Sequence, residues 1–183
     1  MVHFFSQSIT YDHNWATVNH GVWQKYPNPH SGHVVSVDVL DRSVDPVTGI
    51  LRTERVLGCK QAAPKWVVKL LGGSDDAFVR EVSFVDPRTS RTTVTSVNLS
   101  LSQYITVLET ITYEPSASHP NSKTDFRQTA EIQSRMSWKT IGDRLEMWSV
   151  DRFSANAALG RLGFEHVLRS LREQREGQQL ATP

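Results

Sequence analysis

Cysteine is nearly absent: the 183 residues include one, Cys59. An internal disulfide framework is thereby excluded, as is a zinc site built from several thiolates. A charge bias is lacking too. Twenty Lys and Arg stand against nineteen Asp and Glu, a formal net charge of +1. That is not the basic field on which nucleic-acid binding runs, and no nucleic-acid partner is expected. No apolar stretch approaches the ~20 residues needed to cross a bilayer. Met1 to Ser8 contain no Lys or Arg, unlike a secretory signal or an Arg-rich transit peptide. Glycine-rich phosphate loops and nucleophile elbows are missing. Among seven scattered histidines, His30 and His33 lie close together, in a turn without further ligand types. Neither a catalytic set, a metal site nor a cofactor is expected. What is present is 38% hydrophobic residues, too many for a disordered chain and enough for one core in a domain of this size.

Two periods divide the chain. Up to about residue 134 it reads mostly as short strands separated by turn chemistry. His3 to Thr10, Val34 to Leu40, Leu51 to Leu57, Ala77 to Val85, Thr92 to Leu99, Ile105 to Tyr113 and Thr124 to Ser134 are the expected strands. A first helix carries Trp15, Val18, Val22 and Tyr26 at helical spacing, with Asp12 as its expected cap and Pro27 as its stop. Pro64 opens a second, short helix that ends at Gly72-Gly73. From Met136 to Leu171 there is no proline, and Trp138, Ile141, Leu145 and Trp148 form a stripe at helical period. Unbroken, that helix is about 50 Å long. Gly160 and Gly163 mark where it would bend, and a polar tail, 173–183, is expected to fray.

Short turns favour an antiparallel meander over a parallel sheet. One such sheet cannot bury both faces by itself. The expected class is α+β: a curved antiparallel sheet of about seven strands, with the long C-terminal helix laid across its concave face. This is the helix-grip arrangement, which encloses an elongated cavity.

Three features exceed what a plain core needs. Continuing the stripe of the long helix past Trp148 lands on Arg152, then Asn156, then Leu159. Either the helix drifts and Arg152 snorkels to solvent, or its guanidinium meets an anionic group inside a cavity. The second feature is a segment at 58–73 whose apolar residues Trp66, Val67, Val68, Leu70 and Leu71 surround a helix flanked by Lys65 and Lys69. It is either a small core helix or a glycine-hinged lid resting on a membrane surface. The third, Trp23 to His30 with Val34, is a helix end and a turn. Glu54, Glu81 and Glu109 lie in expected strands and read as outward carboxylates. An enzyme on this scaffold stays open, because a fold does not fix a function.

The residues also carry a resemblance. Lys25-Tyr26-Pro27-Asn28, Val37 to Arg42, Arg55-Val56-Leu57, Pro64-Lys65-Trp66, Arg80 to Ser83, Val85-Asp86-Pro87, Trp148-Ser149, Arg152-Phe153 and Asn156 resemble the PRELI/slowmo family of lipid-transfer proteins, in order and spacing, over residues 1–172. Within it the chain is more similar to the slowmo branch and its fungal phosphatidylserine-transfer members than to the phosphatidic-acid branch. The resemblance implies a non-enzymatic carrier, resident in the mitochondrial intermembrane space, with a phospholipid as its transported ligand. It further implies a partner, a small twin-cysteine-motif helical protein, and transient contact with anionic membranes. Its basic head-group positions fall on Lys25, His33, Arg55 and Arg152, with Asn156 nearby, and its membrane-contacting lid on Lys65, Trp66, Val67, Lys69, Leu70 and Leu71. Where the phosphatidic-acid branch tends to carry lysine, this chain has Cys59, Ala62 and Leu159. Fewer cations suit phosphoserine over a bare phosphate, although Lys60 stands close by.

Overall fold

Alternation with period two organises the first 134 residues, because one face of each central strand is buried and the other is not. The computed structural model describes residues 2–60, 63–70, 72, 74–136 and 139–180. Its strands are β1 (Val2–Tyr11), β2 (Val34–Val44), β3 (Leu51–Lys60), β4 (Asp76–Asp86), β5 (Arg91–Asn98), β6 (Ile105–Pro115) and β7 (Thr124–Ser134). They form one seven-stranded antiparallel sheet in the order β1-β7-β6-β5-β4-β3-β2. The N-terminal strand thus pairs with the last one, and β1 and β2 are the two edges. The helices are α1 (Trp15–Trp23), α2 (Lys65–Leu70) and α3 (Lys139–Leu180). This is the expected helix-grip architecture, with α3 packed on the inner face.

Three local expectations are corrected. The cap of α1 is Asn14, whose Oδ1 accepts from the Thr17 N–H at 2.9 Å. Asp12 instead reaches Lys123 Nζ at 2.9 Å; it lies too far before the first helical residue to accept from the first turn. Gly58 is no hinge. It sits inside β3, opposite Phe78, beside a register irregularity in β2, where a Cβ would come within 2.6 Å of Ser36 Oγ. Nor do Gly160 and Gly163 interrupt α3, which continues past Leu171 to Leu180. At Gly163 the missing side chain admits Asn28, whose Oδ1 would lie 2.4 Å from a Cβ.

Two apolar clusters fill the space between sheet and helices. At one end Tyr11, Val18, Val22, Val94, Ile111, Tyr113, Phe126, Phe164 and Leu168 pack together. Four of these are aromatic, with ring centroids 5.2–5.9 Å apart, a spacing that adds to the area they bury. At the other end Val67 of α2 inserts among Leu101, Ile105, Ile132 and Leu145. Between the clusters the inner face turns polar.

Candidate functional site

Six strands place a polar residue at the same level of the inner face. Arg55 on β3 faces Glu81 on β4, Glu81 faces Ser96 on β5, and Ser96 faces Glu109 on β6. Gln128 on β7 faces Gln7 on β1. Together they form a belt, which hydrogen bonds join in two groups, Arg55 with Glu81, and Ser96 with Glu109, Gln128 and Gln7. Arg55 Nε donates to Glu81 Oε1 at 2.6 Å, and Ser96 Oγ donates to Glu109 Oε2 at 2.6 Å. The Gln128 amide donates to the other oxygen of Glu109, and the Gln7 amide donates to Gln128.

Above this belt lies a cavity of about 250 Å³. Its sheet side includes Gln7, Glu81, Ser96, Glu109 and Gln128; its helix side includes Trp148, Arg152, Phe153, Asn156 and Phe164 of α3. The connection after α1 adds Lys25, Tyr26, Ser31 and His33. Leu101 and Ile105 line it as well, and they belong to the apolar cluster that includes Val67 of α2.

Of the sequence-derived head-group set, Lys25, His33, Arg152 and Asn156 line this cavity. Burial opposes the charge of Lys25, but Tyr26, Glu109 and Glu81 outweigh it and hold the ammonium above the ordinary lysine value. Burial, with Arg152 and Lys25 beside it, pushes His33 below the ordinary histidine value. The Asn156 Oδ1 is buried without a hydrogen-bond partner, and so is the hydroxyl of Ser31. Buried polar atoms are rarely left unmatched, so a water or a ligand group would complete each of them. Arg55 stands apart. It is 6% exposed, paired with Glu81, and its guanidinium lies 5.7 Å from the Trp23 ring centre. Its charge is already matched within the protein.

The outward reading of Glu81 and Glu109 is corrected, since both face the cavity. Their strand parity explains it. Glu109 shares its face with Ile105, Val107, Ile111 and Tyr113, and Glu81 shares its face with Ala77, Val79 and Val85. A carboxylate in the apolar register was the available signal. Glu54 has the opposite parity to Leu57 and pairs on the outer face with Arg52 and with Arg80, at 2.6 Å from the latter.

On α2, Lys65 and Lys69 are exposed. Trp66 is half-buried against the cluster around Val67 and Leu145, with the Arg144 guanidinium 5.4 Å from its ring centre. Val67 is fully buried, so its expected outward, membrane-facing position is corrected. A six-residue helix over an apolar opening must turn one side inward, and Val67 is on that side. Leu71, Ala62, Gly73 and Trp138 lie outside the described residues, as does the side chain of Leu70. Cys59 lines the cavity, and Leu159 is 41% exposed on the outer side of α3. Among the described residues no group of His, Cys, Asp and Glu could hold a metal ion. No described helix is long and apolar enough to cross a membrane.

A family model described as the PRELI-like family matches residues 16–174. The chain is 40% identical to the UPS-like protein C36.10 of Schizosaccharomyces pombe, over 91% of this chain and 89% of that protein. It is also 40% identical to the protein named UPS2, mitochondrial, of Saccharomyces cerevisiae, over 92% of this chain and 74% of that one. A slowmo homolog of Dictyostelium discoideum is 31% identical over 91% of this chain and 72% of that protein. Among solved structures, TTHA0849 of Thermus thermophilus superposes with a TM-score of 0.56 at 11% identity, covering 92% of this chain and 99% of that one. A START superfamily protein of Mycobacterium smegmatis gives 0.52 at 11% identity, covering 90% and 99%. At such identity these two share the fold alone.

Proposed function

The chain belongs to the PRELI-like family, and from that membership we propose that it is a non-enzymatic carrier that moves phosphatidylserine between the two mitochondrial membranes. The observation that carries this reading is the cavity between α3 and the sheet, with cations and unmatched polar atoms at its middle and apolar clusters at its ends. Mitochondrial residence draws support from the relative named UPS2, mitochondrial; the space between the membranes is the finer part of the proposal.

The physical task explains the shape. Two acyl chains in water expose roughly thirty methylenes at about 0.8 kcal/mol each, some 25 kcal/mol in all. An apolar cavity removes most of that barrier to desorption. The phosphate must leave water as well, and charge-assisted donors from Lys25 and Arg152 would receive it. Neutral His33 adds a donor without adding charge. Lys65 and Lys69 on the outside of α2 would meet anionic lipid, each worth about 1 kcal/mol near such a surface. That suits transient docking. When α2 swings out, Trp66 would exchange its protein neighbours for the bilayer.

The same reading includes a small twin-cysteine-motif helical partner. The supporting feature is edge strand β2, where Val35, Val39, Leu40 and Val44 are 55–61% exposed, since apolar side chains gathered on one exposed strand suit a protein contact.

A vesicle assay with phosphatidylserine and phosphatidic acid of identical chains, combined with mass spectrometry of lipids that co-purify with the protein, tests the proposal. Phosphatidylserine should be bound intact and transferred faster. A chemically altered lipid would indicate an enzyme, and faster phosphatidic acid would reassign the cargo. Arg152→Glu should abolish extraction of either lipid. Transfer at the normal rate by that variant would remove Arg152 from the phosphate site.

A further inference from the structure

A bare phosphate needs cations, yet the cavity also presents carboxylates. Glu81 is compensated by Arg55 at 2.6 Å. Glu109 differs: the partners of its two oxygens are the neutral Ser96 hydroxyl and the neutral Gln128 amide. Among the described residues it makes no ion pair, although it acts on Lys25 from further away. Two further atoms on the cavity wall lack a partner. Asn156 Oδ1 is an acceptor, so it needs a donor from the ligand. Ser31 is 2% exposed and its hydroxyl is unmatched. A fully ionised phosphate monoester supplies acceptors and nothing else. A site with an anion on the sheet wall, an orphan acceptor on α3 and cations nearby therefore fits a head group with both signs of charge.

Resting on the carrier reading above, we propose that Glu109, held rigid by Ser96 and Gln128, receives the primary ammonium of an aminophospholipid head group. It thereby selects that class against phosphatidic acid. The belt supplies the rigidity. Each oxygen of Glu109 is pinned by a neighbour on an adjacent strand, and Gln128 is itself fixed by Gln7, so the carboxylate is pre-oriented and needs no rearrangement to bind. Its contact partners are neutral and Lys25 acts on it only from further away, which leaves the carboxylate open to an ion pair with a cationic ligand group. Glu81 cannot substitute, because Arg55 has taken its charge.

The test uses the full chain and phosphatidylcholine vesicles doped with phosphatidylserine, N-acetyl-phosphatidylserine, phosphatidylethanolamine or phosphatidic acid of identical chains. Glu109→Gln keeps the shape while removing the charge; its carbonyl can still accept from Gln128, and the Ser96 hydroxyl can turn to accept from its NH2. It should slow transfer of both amino lipids by about tenfold, the loss of one charged hydrogen bond, and leave phosphatidic acid within about twofold of its original rate. Glu109→Asp, which keeps the charge, should restore part of the difference. The unmodified chain should carry the N-acetylated lipid about tenfold more slowly than phosphatidylserine. That arm decides the matter even if Glu109→Gln melts early. Phosphatidylethanolamine moving as fast as phosphatidylserine would make the ammonium the whole discriminator; slower movement would assign the remainder to the serine carboxylate. Equal losses for all lipids in Glu109→Gln, or undiminished transfer of the N-acetylated lipid, would overturn the assignment. Transfer of no lipid by the unmodified chain would remove the carrier reading along with it.

Discussion

The two ends of the cavity are closed by different means. At the aromatic end, α1 and the C-terminal half of α3 converge on Tyr11, Tyr113 and Phe126, and a Cβ on Gly21 would meet Leu168 at 3.0 Å and Phe164 at 3.3 Å. At the other end, α2 has six residues and, among its described side chains, one is fully buried, Val67, with Trp66 half-buried. Helices this short are not stable by themselves, so α2 holds its place through those contacts. One closure is built to stay and the other to be undone at modest cost. In the proposed carrier, this asymmetry assigns the opening to the α2 end.

The largest effect should come from the aromatic end. Phe164→Ala removes a 2%-exposed ring that touches Tyr11 and Tyr113 and should cost about 3–5 kcal/mol, read as a fall in the urea midpoint. Val67→Ala, although its residue is wholly buried, should cost only about 2 kcal/mol, for two methyl groups and a cavity that a short helix can collapse. Equal losses at the two sites would erase the distinction between them.

Trp66→Glu should move the global melting point less than Phe164→Ala does, while weakening vesicle binding and lipid transfer. Transfer at the normal rate would remove α2 from the membrane contact.

The smallest effect lies between the ends. His33 is held below the usual histidine value of about 6.5 by burial, Arg152 and Lys25. Its folded form binds a proton less readily than its unfolded form, so its contribution to stability is complete above about 6.5. That contribution is lost as the pH falls through the lower, folded value. An anionic phosphate beside Lys25 and Arg152 would offset those cations and raise the midpoint. NMR titration of His33 in the empty and lipid-loaded protein reads the change directly; no upward movement on loading would place the phosphate elsewhere.

Much of the site could be read along the chain, but unevenly. Arg152 and Asn156 stood out because they break an apolar helical stripe, and a single element is enough to see that. Glu81 and Glu109 carried an equally good signal, the apolar parity of their own strands, and the outward reading overlooked it. Lys25, Ser31 and His33 lie outside regular elements, where no period exists to say which way a side chain points. Arg55 shows the opposite limit. Its type and position fit a phosphate ligand, yet the cross-strand neighbour that neutralises it lies 26 residues away.

Local physics alone settles a good deal here: period two for the strands, period 3.6 for the long helix, a single thiol that excludes an internal disulfide, and no apolar run long enough to span a bilayer as a helix. Those features depend on residues close together in sequence, so the sequence determines them. Only tertiary structure decided that β1 closes against β7, that Asn28 occupies the space left by Gly163, and that Arg55 spends its charge on Glu81 while Glu109 keeps its own. The reason is that charge compensation and close packing are properties of neighbours in space, and strand pairing chooses those neighbours across distances that no sequence period reaches.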